Sequence, residues 1–174
     1  MLKVRKALAD DIDKIEQIYL ETHRAEEEGV IETGWIRGVY PVRKTAETAL
    51  ERGDLFVAEE ETDIVGVAII NQLQLDEYRD ASWQYPAKDE EVMVLHTLVV
   101  DPKSFGKGYG KKFVKFYEEY ALAQGCSFLR MDTNERNKRA RLMYKSLGYT
   151  EVGIVGCNFN GIDGVKLILL EKKL

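Results

Sequence analysis

The sequence is poor in the features that would support several classes of protein. It has only two cysteines, Cys126 and Cys157, which are too few and too isolated for a disulfide framework or a zinc site, so we expect two reduced thiols and no metal. It shows no signal peptide and no apolar run long enough to cross a bilayer. These absences predict a cytoplasmic protein that does not act at a membrane.

An excess of positive charge is also lacking. The chain has 25 Lys and Arg against 30 Asp and Glu, a formal net charge of -5. Nucleic-acid binding usually needs a basic surface, so no nucleic-acid partner is expected. The negative balance suits an amine substrate, but only weakly. The length of 174 residues predicts one domain over 1–174, which should bury roughly 70% of the surface that the unfolded chain exposes.

The stretch most informative about function is LHTLVVDPKSFGKGYGKK, residues 95–112. It predicts a strand over 95–100, a turn at Asp101 and Pro102, and a glycine-rich loop that leads into a helix. From Phe113 the apolar residues recur at i, i+3, i+4 and i+7, and Gly125 supplies a stop. The first turn of a helix leaves backbone N–H groups unpaired, so this arrangement can hold an anionic group.

Two common phosphate-loop patterns do not fit the glycine loop. Walker A requires an earlier Gly and a hydroxyl residue after Gly110-Lys111, and the dinucleotide fingerprint requires its third Gly one residue later. The tighter G-x-G-x-G turn resembles the acetyl-CoA loop of the GNAT superfamily of N-acetyltransferases, whose pattern is Arg or Gln, two residues, Gly, one residue, then Gly or Ala. Gly108 and Gly110 fit the end of that pattern. Phe105 stands where Arg or Gln is usual, so the loop lacks that side chain for the pyrophosphate.

A second motif lies in NKRARLMYKSLGYTEVG and comprises Asn137, Ala140, Tyr144, Gly148 and Tyr149. It resembles the C-terminal signature of the same family. The predicted order β-α-α-β-β-β-α-β-α-β-β also matches that family over nearly the whole chain. We therefore expect an α/β fold with a mixed, mostly antiparallel sheet of about seven strands, a parallel pair formed by the fourth and fifth strands, and helices on both faces.

The resemblance implies an acetyl-CoA-dependent N-acetyltransferase, in which a primary amine of a small molecule, peptide or protein attacks the thioester directly. In the family the fourth strand splays from the fifth, and its free backbone, here at Leu98 and Val100, pairs with the pantetheine arm. Asn137 is explained about as well by a plain helix N-cap. Dimers are common in the family, so a homodimer is an expectation. The resemblance implies that these residues bind the cofactor: Leu98, Val99, Val100, Phe105, Gly106, Lys107, Gly108, Tyr109, Gly110, Lys111, Asn137 and Tyr144.

The reaction needs a proton donor for the leaving thiolate and a proton acceptor for the amine, because an amine with a pKa near ~10.4 is protonated at neutral pH. Tyr144 occupies the place of the family's usual donor; it could also be core packing. For the base, strand alternation puts His96 on one face with Leu98 and Val100. The family often takes a catalytic Glu or His from this strand, and the free pKa of His suits proton uptake. A hydrogen-bonded core His is the alternative, with Glu91 or a water relay as the fallback base.

Aromatic residues outside the motifs are candidates for the acceptor site. Some come from the first helix and the loop after it, and others lie in the long segment 76–89, whose length is typical of functional or disordered loops and whose aromatic content favours order. Each could be ordinary packing, but together they predict an aromatic-walled amine site. These residues are His23, Trp35, Tyr40, Tyr78, Trp83 and Tyr85.

Two other functions remain compatible with the sequence. One is a non-catalytic acyl-CoA-binding sensor on the same fold, and the other is an interaction protein whose segment 76–89 binds a partner. His96 and Tyr144 favour an enzyme, since a sensor would need neither. Fold alone does not decide among these functions.

Overall fold

The computed structural model describes all residues 1–174, and its helices and strands follow the predicted order. The strands are β1 (Leu2–Lys6), β2 (Leu55–Glu60), β3 (Asp63–Asn71), β4 (Val92–Val100), β5 (Phe128–Asn134), β6 (Thr150–Phe159) and β7 (Ile162–Lys173). The four α-helices are α1 (Ile12–Glu27), α2 (Arg43–Arg52), α3 (Tyr109–Ala123) and α4 (Lys138–Ser146). None of them is both long enough and apolar enough to span a bilayer.

The strands form one sheet of seven in the order β1-β2-β3-β4-β5-β7-β6. Only β4 and β5 run parallel, and every other neighbouring pair is antiparallel. The crossover that joins the parallel pair contains α3, as a parallel connection requires. The predicted α/β class, with a mixed sheet and one parallel pair, is therefore confirmed.

Both faces of the sheet are covered by apolar helix surfaces. The i, i+3, i+4 pattern of α3 buries Phe113 and Tyr117 completely, in a cluster that includes Leu129 of β5. On the opposite face α1 buries Ile15 and Ile18 against β2 and β3. The carboxyl end of β4 thus lies between two packed layers, with Leu98 and Val100 against the α3 cluster and Val99 in the α1 cluster.

The parallel pair separates halfway along its length. Backbone pairing runs from Val92↔Phe128 to Leu95↔Met131 and then stops, so the rest of β4 pairs with β3 alone. Thr97 marks the separation, because it has a positive φ of 49° in a β-bulge where two residues of β4 oppose one of β3. The result is a wedge-shaped gap between β4 and β5, of the kind that the family resemblance implied.

The bulge also corrects the predicted alternation of β4. We expected His96, Leu98 and Val100 to share a face, and that prediction is wrong. Leu98 and Val100 pack with Leu95 against the α3 cluster, whereas His96 pairs with Ile69 and lies on the opposite face. One extra residue in a strand shifts every later side chain to the other face.

Two boundaries differ from the sequence prediction. The apolar pattern from Ile64 predicts a strand that continues to Leu75, but β3 ends at Asn71, whose Oδ1 accepts a hydrogen bond from the Leu73 N–H at 2.9 Å and turns the chain. The sequence predicts a C-terminal hairpin around both Asn160-Gly161 and Asp163-Gly164, but the β6–β7 hairpin turns at Asn160-Gly161 alone, and Asp163-Gly164 lies inside β7. Asn-Gly tolerates two consecutive positive φ angles, which a tight hairpin turn needs.

The long segment between β3 and β4 is ordered by contacts with β5 and β7. The Glu171 carboxylate accepts a hydrogen bond from the Gln84 N–H at 2.6 Å, and the Arg130 guanidinium lies 4.3 Å from the centre of the Trp83 ring. The Trp83 indole N–H donates to the Tyr78 carbonyl at 2.8 Å. These contacts hold the segment over the same sheet face as His96.

The burial pattern predicts how two helix substitutions differ in stability. Phe113→Ala should lower the free energy of unfolding by about 3–5 kcal/mol, because it opens a cavity under a fully buried ring. Leu142→Ala is the control, since this α4 side chain is 68% exposed, and a surface substitution usually changes stability by less than ~0.5 kcal/mol. Urea unfolding of both variants tests this, and equal losses would contradict the assignment of the core.

Candidate active site

Two cavities meet inside the molecule, and Tyr144 lies where they join. The first, which we call the wedge cavity, has a volume of about 590 Å³ and fills the gap between 95–98 of β4 and 132–134 of β5. The second, the loop groove, has a volume of about 640 Å³ and runs from 98–100 of β4 to the start of α3. The residues that line both are Thr33, Trp35, Leu98, Asn137, Ala140 and Tyr144.

The loop groove ends on exposed backbone N–H groups. Helix α3 begins at Tyr109, so the end of the glycine loop forms its first turn, and the first backbone bond back into the loop is Lys112 N–H to Gly108 O at 3.2 Å. Gly108 caps the helix with a φ of 75°, a conformation that side chains disfavour. A Cβ at Gly110 would lie 3.0 Å from the Met143 sulfur, so glycine permits close packing with α4. The free N–H groups point to an anionic ligand.

Basic side chains add charge to this groove. Lys111, Lys138 and Arg139 line it, and the Arg139 guanidinium lies 4.1 Å from the centre of the Phe105 ring. Lys107 does not line it; its Nζ lies 3.9 Å from a Glu60 carboxylate oxygen. Sequence reasoning missed Lys138 and Arg139, although two basic residues directly after a helix-capping Asn were visible. Asn137 is confirmed as that cap, since its Oδ1 accepts from the Ala140 N–H at 3.1 Å.

Tyr144 presents a neutral hydroxyl to the junction. Its ring packs edge-to-face with Tyr149 at 5.9 Å in the core beside α3, and no protein group bonds to its hydroxyl. Burial, with a smaller effect from the charge of Asp132, raises the pKa of Tyr144. The phenol therefore stays protonated at neutral pH and can donate a proton to a group at the junction.

His96 is held as a neutral imidazole on the wall of the wedge cavity. Its Nε2 lies 2.9 Å from Asn71 Oδ1, and Asn71 Nδ2 donates to Asp54 at 2.9 Å, which sets the orientation of the amide. Asp54 is itself paired with Arg52 at 2.8 Å. Nε2 therefore carries the proton, and Nδ1 keeps the lone pair. Burial lowers the pKa of His96 to about 4, which makes the ring a weak proton acceptor at neutral pH.

Asp132 is a residue of the wedge cavity that sequence reasoning missed. Its Oδ2 accepts a hydrogen bond from the Tyr78 hydroxyl at 2.6 Å, and burial raises the pKa of the carboxyl to about 6. The signal was present, because the polar residues Arg130, Asp132 and Asn134 alternate along β5 and share one face of the strand. The wedge cavity thus contains a carboxylate whose pKa lies close to neutrality.

Two of the predicted aromatic residues line the wedge cavity, together with one that was not predicted. The ring centres of Trp35 and Tyr40 are 6.0 Å apart, and those of Tyr40 and Phe159 are 5.3 Å apart; both pairs are edge-to-face. The Tyr40 hydroxyl bonds to the side chain of Thr97. Phe159 comes from the end of β6, far from the other two in sequence, so no local pattern indicated it.

The other candidate acceptor residues lie outside the wedge cavity. His23 is buried, and its Nε2 bonds to the Pro41 carbonyl at 2.8 Å. Tyr78 lies buried behind Asp132, while Trp83 and Tyr85 pack over β5 and line neither cavity. The fallback base, Glu91, accepts a hydrogen bond from a backbone N–H of its own turn and also lines neither.

No metal-binding arrangement accompanies these cavities. The structure contains no group of three or more His, Cys, Asp or Glu side chains positioned to hold an ion, and both cysteines are free.

Comparison with known proteins identifies relatives of the chain. The model of the acetyltransferase (GNAT) family matches residues 12–149. An uncharacterised N-acetyltransferase of Methanocaldococcus jannaschii is 25% identical over 158 residues, which cover 87% of this chain and 62% of that protein. A thialysine N-epsilon-acetyltransferase of Bos taurus is 44% identical over 54 residues, 31% of this chain and 32% of that protein. The chain therefore spans less than two thirds of the length of either relative.

Solved structures share the fold over the whole chain. A GNAT-family acetyltransferase of Streptococcus agalactiae superposes with a TM-score of 0.82 and covers 99% of this chain and 95% of its own. The sequence identity is 22%, so this likeness concerns the fold alone.

The environment of His96 predicts an unusual titration. In NMR spectra the His96 ring should titrate near pH 4, well below the ~6.5 of a free histidine. The unfolded chain takes up this proton first, so the folded state loses stability as the pH falls from ~6.5 to about 4. Asp132, whose pKa is raised to about 6, acts in the opposite direction over part of that range.

Because these two effects oppose each other, the ring resonances are a better measurement than pH-dependent unfolding. The chain has two histidines, and a His96→Gln variant assigns the signal. Titration of that signal near ~6.5 would contradict the buried, neutral state.

Proposed function

The chain belongs to the GNAT family of N-acetyltransferases, which use acetyl-CoA, and we propose that it transfers the acetyl group to a primary amine of a small molecule or of a peptide or protein. The observation that carries this proposal is the meeting of two cavities at one phenol. The loop groove has the exposed N–H groups and basic side chains that an anionic cofactor needs, and the wedge cavity leaves room for a second substrate. Tyr144 lies between them.

The cofactor occupies the loop groove in this proposal. The first turn of α3, where N–H groups are free, would hold the pyrophosphate, and Gly106, Gly108 and Gly110 would allow its close approach. The unpaired backbone of β4 at 98–100 would hold the pantetheine arm, with the thioester at the wedge. That backbone also polarises the thioester carbonyl and stabilises the oxyanion.

The reaction is a direct attack at the junction of the cavities. The amine nitrogen attacks the carbonyl carbon, the C–S bond breaks, and the thiolate takes a proton from the Tyr144 hydroxyl. A hydroxyl that remains protonated at neutral pH suits this role. The base predicted from the sequence, His96, lines the same cavity and offers the Nδ1 lone pair, but it competes poorly for a proton at pH 7.

The wedge cavity supports a small acceptor or a single amine-bearing side chain. Its volume is about 590 Å³, and Trp35, Tyr40 and Phe159 form an aromatic wall. Aromatic faces attract cations, which suits an amine that arrives as ammonium. The bovine relative is named for transfer to the ε-nitrogen of thialysine, so thialysine and lysine belong among the acceptors to be tested.

The experiment is thiol release from acetyl-CoA with thialysine, lysine, polyamines, aminoglycosides, arylalkylamines, amino acids and peptides, with CoA binding measured by calorimetry. Turnover with one acceptor class supports the proposal and names the substrate class. Tight CoA binding without turnover supports the non-catalytic sensor instead. Absence of CoA binding contradicts the assignment of the loop groove.

Tyr144→Phe tests the proton donor. We expect kcat to fall by ~100-fold or more, since the thiolate loses its acid, while the Kd for CoA stays unchanged. Tyr149→Phe is the matched control, because this ring packs against Tyr144 and its hydroxyl bonds to Glu118 outside both cavities. Equal kcat values for Tyr144→Phe and the unchanged protein would remove Tyr144 as the acid.

Arg139→Ala tests whether this side chain supplies the positive charge that the loop lacks at Phe105. Arg139 lies over that ring and lines the loop groove. We expect the Kd for CoA to rise about tenfold, the loss of one charge-assisted phosphate contact. Lys145→Ala, an exposed cation of the last turn of α4, is the control. Equal Kd values for both variants would contradict the role of Arg139.

A further inference from the structure

Asp132 is the one carboxylate that lines the wedge cavity, and the reaction described so far has no use for it. Resting on the proposed function, we infer that Asp132 binds the ammonium group of the acceptor and takes its proton. The acceptor class is then a cationic primary amine, with the carboxylate as its counter-ion. His96 in this arrangement is a neutral wall residue.

The first observation is that the Asp132 carboxylate lacks a cation. Its hydrogen bond comes from Tyr78 to Oδ2, and no Lys, Arg or His nitrogen lies within salt-bridge distance of it. The four acids that are more deeply buried than Asp132 differ from it. Asp11 and Asp54 each pair with an arginine, at 2.7 and 2.8 Å, and Asp101 and Glu171 accept backbone N–H bonds. A desolvated carboxylate without a counter-ion is costly, so a ligand that supplies the cation is favoured.

The second observation is that none of the neighbouring cations pairs with Asp132. Arg130 lies on the same face of β5 but donates to Gln74 Oε1 at 2.7 Å and stacks on Trp83. Arg52 and Lys44 of α2 also line the wedge cavity; Arg52 is paired with Asp54, and Lys44 forms no ion pair with Asp132 or with another acid. The remaining titratable groups whose charges affect Asp132, or are affected by it, are Tyr40, Glu77, Tyr78, Tyr144 and Cys157. None of these carries a positive charge.

The third observation is the position of Asp132 relative to the acid. Asp132 faces the segment between β3 and β4, whereas Tyr144 belongs to the core beside α3. Both line the wedge cavity, because the separation of β4 from β5 opens a gap through the sheet. Oδ1 of Asp132 has no partner in the protein and is not sealed from the cavity. A bound amine would thus lie between a proton acceptor and a proton donor.

The proton balance is simple. One proton of the ammonium passes to Oδ1 of Asp132, and the freed nitrogen lone pair attacks the thioester carbonyl carbon. The C–S bond breaks and the thiolate takes the Tyr144 proton. The second amine proton restores the phenol, and the proton on Asp132 leaves to solvent. A carboxyl with a pKa of about 6 suits proton uptake near neutrality better than His96, whose pKa is about 4.

The first test is the pH profile of kcat/KM with the best amine of the panel. For the unchanged protein we expect a bell-shaped profile of kcat/KM. It should rise near pH 6, as Asp132 ionises, and fall through the pKa of the amine itself, as the ammonium form disappears. Asp132→Asn should lower kcat/KM by ~100-fold and replace the bell by a rise through the pKa of the amine. A rise through that pKa in the unchanged protein, or a bell in the variant, would overturn the inference.

A second variant leaves the carboxylate in place. Tyr78→Phe removes the hydrogen bond that favours the ionised form of Asp132. The rise of kcat/KM on the acid side of the profile should therefore move to a pH ~1 unit higher. Tyr117→Phe is the matched control, because this buried hydroxyl bonds to the Met93 carbonyl at 2.6 Å instead. If the rise stays at the same pH in Tyr78→Phe, or shifts equally in both variants, Asp132 is not the group that accepts the proton.

The third test does not depend on turnover. Calorimetry at pH 7.5 with CoA present compares 2-phenylethylamine with 2-phenylethanol, which has the same shape without the charge. We expect the amine to bind at least tenfold more tightly, and Asp132→Asn to abolish the preference. Equal affinities, a preference kept in the variant, or no binding of the amine overturns the site. If the amine binds in a way that depends on Asp132 but no thiol is released with any acceptor, the ammonium site is supported and the transferase proposal fails.

Discussion

The separation of β4 from β5 is the feature on which the rest of the site depends. Parallel pairing ends at Leu95↔Met131, and Thr97 introduces a bulge directly afterwards. The gap leaves backbone groups of β4 unpaired at 98–100, opens a cavity through the sheet, and lets Tyr144 reach that cavity from the core beside α3. Unpaired backbone inside a sheet is costly unless a ligand or water satisfies it, so the gap points to an occupant.

The polar groups around the gap have different proton affinities because their surroundings differ. Burial raises the pKa of Tyr144 and brings that of Asp132 to about 6, whereas burial lowers that of His96 to about 4. Each of these pKa shifts favours the neutral form of its group, since desolvation opposes charge of either sign. One cavity wall therefore offers an acid that stays protonated, a carboxylate that titrates near neutrality and an imidazole that stays neutral.

The segment between β3 and β4 contributes to the site through its packing. Glu171 and Arg130 hold it against β5 and β7, and Trp83 donates to the Tyr78 carbonyl, which keeps Tyr78 in the core with its hydroxyl on Asp132. Aromatic residues that suggested a binding surface in the sequence are thus mainly structural. Their connection with the cavity passes through one hydrogen bond.

The sequence by itself determined the features that depend on neighbouring residues: the period of α3, the Asn137 cap, the glycine turn before α3 and the order of the elements. Each arises from local backbone geometry and from side chains a few positions apart, so the fold and the loop groove were predictable. Only the tertiary structure decided to which side of the sheet the side chains of β4 point after Thr97. It also decided that Phe159 packs with Tyr40 beside Trp35, and that Asp132 lines the wedge cavity without a cation as partner. Those features depend on strand register and on contacts between residues distant in the chain, which local patterns do not encode.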